Sequence, residues 1–226
     1  MKCIAVIPAG GKGFRSGFST PKQYLKINGK EIIVYTLQTF QKNKLVNKII
    51  VAAEADYFDK LLKLIKKYKL TKVKLIVEGG TTRQQSVFNA VYSSAAEADD
   101  LIIVHDAARA LLPEDVLTKS ILSAKKNGNA LVCIKAKDTL IEGSKFVNEY
   151  LNRDSIYYVQ TPQIFRYKVL LKALLKAEKE NFVGTDESML VKRSGKKVHI
   201  AEGSVLNFKI TTKDDVELFR KIISGR

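Results

Sequence analysis

Three polar clusters hold residue types that bind and polarise anions. The first is Pro8-Ala9-Gly10-Gly11-Lys12-Gly13-Phe14-Arg15, which runs on through Gly17 to Lys22. Its glycines let backbone N–H groups turn inward on one anion, and Lys12, Arg15 and Lys22 can neutralise it. The second cluster runs from Gly79-Gly80 through Arg83 to Ser86, and the third is His105-Asp106-Ala107-Ala108-Arg109. The chemistry these types suggest is phosphate binding, against the alternative of an ordinary surface loop. Asp106 is a carboxylate of the kind that holds Mg2+ or another divalent cation beside a phosphate, against the alternative of a loop-capping side chain.

Other chemistries are excluded. A dinucleotide loop needs glycine at position 16, which is Ser16, and no GxxxxGK[ST] run occurs. His105 and His199 are the two histidines, and neither has the Cys or His spacing of a zinc site. His105 reads as an orienting or packing group and His199 as structural. No Ser-His-Asp arrangement is legible.

Phosphate loops need elements to position them, and the hydrophobic pattern supplies a strand–loop–helix rhythm. Apolar runs at 4–7, 48–53, 73–77, 101–104 and 130–136 predict strands, and helical spacing marks 32–40, 56–68, 86–95, 113–126 and 168–180. Pro113-Glu114-Asp115 suits a helix start. Strands alternating with helices predict an α/β fold: a Rossmann-like, mostly parallel sheet with helices on both faces. All three polar clusters follow strands, where open parallel sheets bind ligands. The rhythm breaks after Lys137. A turn at Glu142-Gly143-Ser144 and an extended run at 155–159 predict an inserted β-arm at about 138–158 in one domain spanning 1–226. Further strands are expected at 197–201 and 207–210, and a capped helix from Thr212.

The chain has 226 residues, 46% of them hydrophobic, enough for a sizeable core. Two cysteines, Cys3 and Cys133, exclude a disulfide scaffold and read as free, buried thiols. No apolar stretch approaches the ~18 residues of a membrane span, and the N-terminus lacks a secretory pattern. A cytoplasmic protein is expected. The formal charge of +16 favours anionic partners. Most lysines, such as Lys60, Lys63, Lys66 and Lys67, alternate with leucines and read as a solvated helix face.

Taken in order, these residues resemble a family. Pro8 to Arg15, followed by Pro21-Lys22-Gln23-Tyr24-Leu25, is similar to the signature of nucleotidyltransferases that activate sugar or polyol phosphates. Gly79-Gly80, Arg83, Ser86-Val87, His105 to Arg109, Asp138-Thr139, Gln160-Thr161-Pro162-Gln163, Thr185-Asp186 and Asn207-Phe208-Lys209-Ile210-Thr211 extend the likeness. Within that group the chain resembles the 2-C-methyl-D-erythritol 4-phosphate cytidylyltransferases along essentially its whole length. The resemblance implies CTP and a polyol phosphate as substrates and catalytic roles for Arg15, Lys22 and Lys209. It implies nucleotide contacts from Ala9, Gly10, Gly11, Gly13, Gly80, Arg83, Ser86 and Ala107. Polyol-phosphate contacts would come from Asp106, Arg109, Thr139, Arg153 and Thr161, and the metal would sit on Asp106. A homodimer is implied, with the arm bearing Thr139 and Arg153 completing its partner's site. Pro8, Ser16, Ala110 and Leu206 depart from the family pattern; Leu206 stands where an acidic residue is common, which leaves Asp106 as the metal carboxylate.

Ribitol-5-phosphate cytidylyltransferases share most of these motifs, but Arg83 to Val87 and His105 to Arg109 favour the methylerythritol family. A basic nucleic-acid-binding module is the alternative of another class. It would need exposed stacking aromatics, for which Tyr157 and Tyr158 are the candidates; a dimer contact suits them better. No nucleic-acid or membrane partner is expected.

Overall fold

The protein is described from a computed structural model covering residues 1–11 and 20–225. In chain order the elements are β1 (Cys3–Pro8), the short hairpin β2 (Lys26–Ile27) and β3 (Lys30–Glu31), α1 (Ile32–Lys42), β4 (Lys48–Ala53), α2 (Phe58–Lys67), β5 (Val73–Glu78) and α3 (Arg83–Tyr92). There follow β6 (Leu101–Val104), α4 (Glu114–Asn127), β7 (Asn129–Lys135), the hairpin β8 (Leu140–Gly143) and β9 (Val147–Leu151), and β10 (Tyr157–Arg166). The chain ends with α5 (Tyr167–Lys179), α6 (Glu187–Arg193), β11 (Ile200–Glu202) and α7 (Lys213–Ser224).

Seven strands make one sheet in the order β11-β7-β10-β6-β1-β4-β5. Neighbours run parallel except β10, which is antiparallel to both β6 and β7. The central strands β1 and β6 are apolar throughout because both sheet faces are covered there. Cys3, Ala5 and Ile7 point to one face, packed under α1, α2 and α4, while Ile4 and Val6 point to the other, under α3, α5 and α6. A third cluster seats Val216 and Phe219 of α7 against Ile27, Ile32 and Ile210. The α/β reading from sequence holds, and the strand order reverses at β1, whose neighbours are β4 and β6. Both cysteines are free and buried. Among the described residues, no helix is long and apolar enough to cross a membrane.

Several boundaries differ from the sequence reading. α3 begins at Arg83, three residues early, because the Thr82 hydroxyl accepts the Gln85 N–H at 3.0 Å and caps the helix there. The run at 155–159 is not the return strand of the arm. Tyr157–Val159 already pair with Lys135–Cys133 of β7 in the main sheet, and the arm closes on itself through Val147–Leu151. Residues 207–210 form no strand, since Asn207 N–H turns back to Ser204 O and Ile210 N–H reaches Ala108 O. The seven-residue α6 has too few turns to show a period, and β2 and β3 are two residues each.

The last helix anchors the segment that carries Lys209. Thr212 Oγ1 accepts the Asp215 N–H at 3.2 Å, while Asp215 Oδ2 accepts from Thr211 N, Thr211 Oγ1 and Thr212 N at 2.7, 2.7 and 2.8 Å. Burial alone would raise the Asp215 carboxyl; these hydrogen bonds outweigh it and hold it below its ordinary value. A carboxyl lowered in the folded state gives stability that is full above its unfolded value of about 3.9 and is lost as pH falls through the folded value. Asp215→Ala should therefore cost about 1 kcal/mol in urea unfolding at neutral pH. The difference from wild type should shrink as pH falls below the unfolded value of about 3.9.

Candidate active site

Two cavities open at the carboxyl ends of β1, β4 and β6. The larger, about 850 Å³, is lined by Pro8 to Gly11, Lys22, Gln23, Glu54, Gly79 to Arg83, Ser86, Asp106 to Ala108, Lys209 and Thr211. The smaller, about 260 Å³, is lined by Arg109, Val159 to Thr161, Gln163, Thr185 and Asp186. Arg83, Asp106 and Lys209 line both and form the wall between them.

The floor of the larger cavity is set by short hydrogen bonds. Ala9 N–H donates to Ala52 O at 2.6 Å, which carries the chain off β1 toward β4. Gln23, buried in a 3-10 turn, donates to Ala9 O and Gly11 O at 2.6 and 3.1 Å and holds the start of the glycine loop. On the far side, Ser86 Oγ donates to Thr82 O and accepts the Gly80 N–H, both at 3.0 Å. Gly80 can be nothing larger, because a Cβ there would run into the Gln85 side chain.

The wall between the cavities is an ion network. Arg83 Nε donates to Asp106 Oδ1 at 2.9 Å and Lys209 Nζ to Asp106 Oδ2 at 2.8 Å, with Arg109 Nε 4.0 Å from the same oxygen. Arg83 turns its other two nitrogens onto the buried Glu187, Nη1 to Oε1 at 2.7 Å and Nη2 to Oε2 at 3.0 Å. Burial pushes the Asp106 carboxyl up, but Arg83 and Lys209 more than offset it and hold it well below the usual carboxylate range. Burial pushes the Glu187 carboxyl up from its ordinary value against the pull of Arg83. Arg109 is fixed separately, its Nη1 donating to Asn207 O at 2.7 Å.

A neutral histidine frames this wall. His105 is fully buried, and burial pulls its imidazole down to about 4, against the hydrogen bond to Arg109 O. Its Nε2 lies 3.1 Å from Arg109 O, which can only accept, so Nε2 carries the proton and Nδ1 accepts from Thr161 Oγ1 at 3.0 Å. The same hydroxyl accepts the Asp106 N–H at 3.1 Å. His105 thus orients residues 106–109, as its sequence position suggests.

A family model described as 2-C-methyl-D-erythritol 4-phosphate cytidylyltransferase matches residues 3–224. The chain belongs to this family. It is 40% identical to the 2-C-methyl-D-erythritol 4-phosphate cytidylyltransferase of Clostridium acetobutylicum, covering 96% of this chain and 94% of that one. With the protein of the same name from Geobacter metallireducens the identity is 38% over 100% and 99%. The crystal structure of Francisella tularensis 2-C-methyl-D-erythritol 4-phosphate cytidylyltransferase superposes with a TM-score of 0.83 at 33% identity, over 98% of this chain and 99% of that one.

The residues implied by that family are largely brought together. Ala9, Gly10, Gly11, Lys22, Gly80, Arg83, Ser86 and Ala107 line the larger cavity, and Arg109 and Thr161 the smaller. Gly13 and Arg15 lie outside the described residues. Thr139 and Arg153 are exposed and line neither cavity; Arg153 Nη1 donates to Lys137 O at 3.1 Å. Arg83 commits three N–H groups inside the protein, so much of its capacity serves Asp106 and Glu187. Gln23 and Asn207 fall within the motifs that carry the family resemblance, without a role assigned to them there, while Glu187 carries no sequence signal of its own.

The donor set fits a divalent cation in one way. No cluster of three or more His, Cys, Asp or Glu side chains converges among the described residues. An ion would take Asp106 plus phosphate oxygens and water, the usual surroundings of Mg2+ on a nucleotide.

The buried neutral imidazole has a consequence for stability. Its folded value lies below the unfolded value of about 6.5, so its contribution is full above that value and is lost as pH falls toward 4. Urea unfolding should show stability falling from pH 6.5 to pH 4. His105→Gln should flatten that segment of the profile; an unchanged slope would mean that other groups set it.

Proposed function

We propose that the chain transfers the cytidylyl group of CTP to 2-C-methyl-D-erythritol 4-phosphate and releases pyrophosphate. The observation that carries this reading is the shared wall: a large cavity beside a glycine loop and a smaller polar one, divided by Arg83, Asp106 and Lys209. A nucleotide suits the first and a polyol phosphate the second, with their reacting atoms meeting at Lys209. One phosphate oxygen of the polyol phosphate attacks the α-phosphorus of CTP. That O–P bond forms, the bond from the α-phosphorus to the bridging oxygen breaks, and pyrophosphate takes the electron pair. Catalysis of this kind needs positioning and charge stabilisation more than covalent chemistry. Lys22 and Lys209, with Arg15 from the glycine loop, would neutralise charge building on the phosphates. Asp106 would direct Lys209 and share Mg2+, which when bound neutralises phosphate oxygens. Arg109 and Thr161 would hold the polyol phosphate. The two free, buried thiols, Cys3 and Cys133, support a reducing, cytoplasmic setting.

Purified protein should release pyrophosphate from CTP with methylerythritol phosphate faster than with ribitol 5-phosphate, and EDTA should stop it. Equal or greater release with the ribitol compound would reject the substrate assignment. Lys209→Ala should lower kcat by at least about 100-fold, with a smaller change in KM for CTP.

We further propose a homodimer in which each arm completes its partner's site. Ile141, Phe146, Val147 and Tyr150 on the hairpin are exposed, more apolar surface than a two-stranded arm needs in water. A protomer carrying Arg153→Ala mixed with one carrying Lys22→Ala should regain activity on subunit exchange, because one site of each heterodimer has neither defect. No recovery after confirmed exchange would place Arg153 in its own chain's site.

A further inference from the structure

Glu187 lines neither cavity, yet it is 1% exposed and ionically tied to the residues that divide them. It lies in the first turn of α6, where the helix end favours negative charge. That turn is pinned to β10: Gln163 Nε2 donates to Asp186 Oδ2 at 3.0 Å, and Ser188 N–H donates to Gln163 Oε1 at 2.9 Å. Asp186 in turn caps the helix by accepting the Met189 N–H at 2.8 Å. The turn of backbone that bears Glu187 is therefore held by cap and sheet, and its carboxylate meets Arg83 from a fixed base.

Its grip on Arg83 is forked, one carboxylate oxygen to each terminal nitrogen. A forked pair fixes the plane of the guanidinium as well as its position. With both ends taken, Nε is the nitrogen left to face Asp106, and it does so at 2.9 Å. Asp106 then offers its second oxygen to Lys209 at 2.8 Å. Four side chains from four separated segments make one line, Glu187 to Arg83 to Asp106 to Lys209. A buried pair of this kind adds little net stability over well-packed apolar residues, so stability alone does not account for it.

We infer that Glu187 is a positioning residue for the transfer: it holds Arg83, Arg83 holds Asp106, and Asp106 sets the place of the Lys209 ammonium between the two substrates. The inference rests on the cytidylyl-transfer reading and adds to it a residue that touches no substrate. Without Glu187, Arg83 is held at Nε alone and its plane can turn, so Asp106 and Lys209 lose a fixed reference. CTP itself has no contact with Glu187, so its binding should change little.

Steady-state kinetics of Glu187→Gln, Arg83→Met and the double variant test this. Glu187→Gln keeps the volume and removes the charge. It should lower kcat about tenfold or more while KM for CTP stays within about threefold. Because Glu187 acts through Arg83, the double variant should be no slower than Arg83→Met beyond about twofold. Wild-type kcat in Glu187→Gln, or defects that multiply in the double variant, would overturn the inference. Should Glu187→Gln fail to fold, Glu187→Asp replaces it in the same cycle with the same criteria. If the wild type itself releases no pyrophosphate, the functional reading fails first. Nitrogen-15 NMR of the Arg83 Nε–H then decides the arrangement: exchange with water should be slow in wild type and faster in Glu187→Gln, and equal rates would overturn it.

Discussion

Asp106 is a carboxylate held between cations, and the site takes its shape from that contact. Arg83 approaches one oxygen and Lys209 the other, with Arg109 a little farther off. A lone buried carboxylate would be costly; one placed between two cations stays ionised and imposes distances on both. The wall has more cationic than anionic groups, since Arg83, Lys209 and Arg109 face Asp106 and Glu187. The surplus makes phosphorylated ligands the natural occupants of both sides.

The charged wall depends on a neutral frame. His105, Thr161, Asn207 and Gln160 are buried and hydrogen-bonded to one another or to nearby main chain, and none carries a charge at neutral pH. Asn207 Nδ2 donates to Thr161 O at 2.7 Å and to Gln160 Oε1 at 3.2 Å, while its own carbonyl receives Arg109. This braces the segment before Lys209 against β10. A charged group in the frame would compete for Asp106; amides, a hydroxyl and a neutral imidazole supply direction without adding to the field.

Much of this is legible in the sequence because it rests on local rules. Continuous apolar strands and periodic helices announce a covered parallel sheet, and polar clusters that follow strands announce a cleft at the strands' carboxyl ends. What local rules do not reach is pairing across the chain. The antiparallel direction of β10 depends on which strands flank it, and Tyr157–Val159 has the same composition whether it closes an arm or edges into a sheet. Residues 207–210 look extended by composition, but their hydrogen bonds go to separate partners, so no ladder forms. Glu187 has no periodicity or motif to mark it; its importance comes from Arg83, 104 positions earlier.

Adjacent antiparallel strands can be joined by a turn of two residues, and β7 and β10 are such neighbours. The sheet therefore has no topological use for most of residues 136–156. Because β10 runs against both β6 and β7, β7 points the same way as β6, and this surplus emerges at the rim of the cleft and not at the opposite end of the sheet. Length can vary there without disturbing a ladder of the seven-stranded sheet. A fold built this way keeps the main sheet's ladders separate from whatever its rim carries.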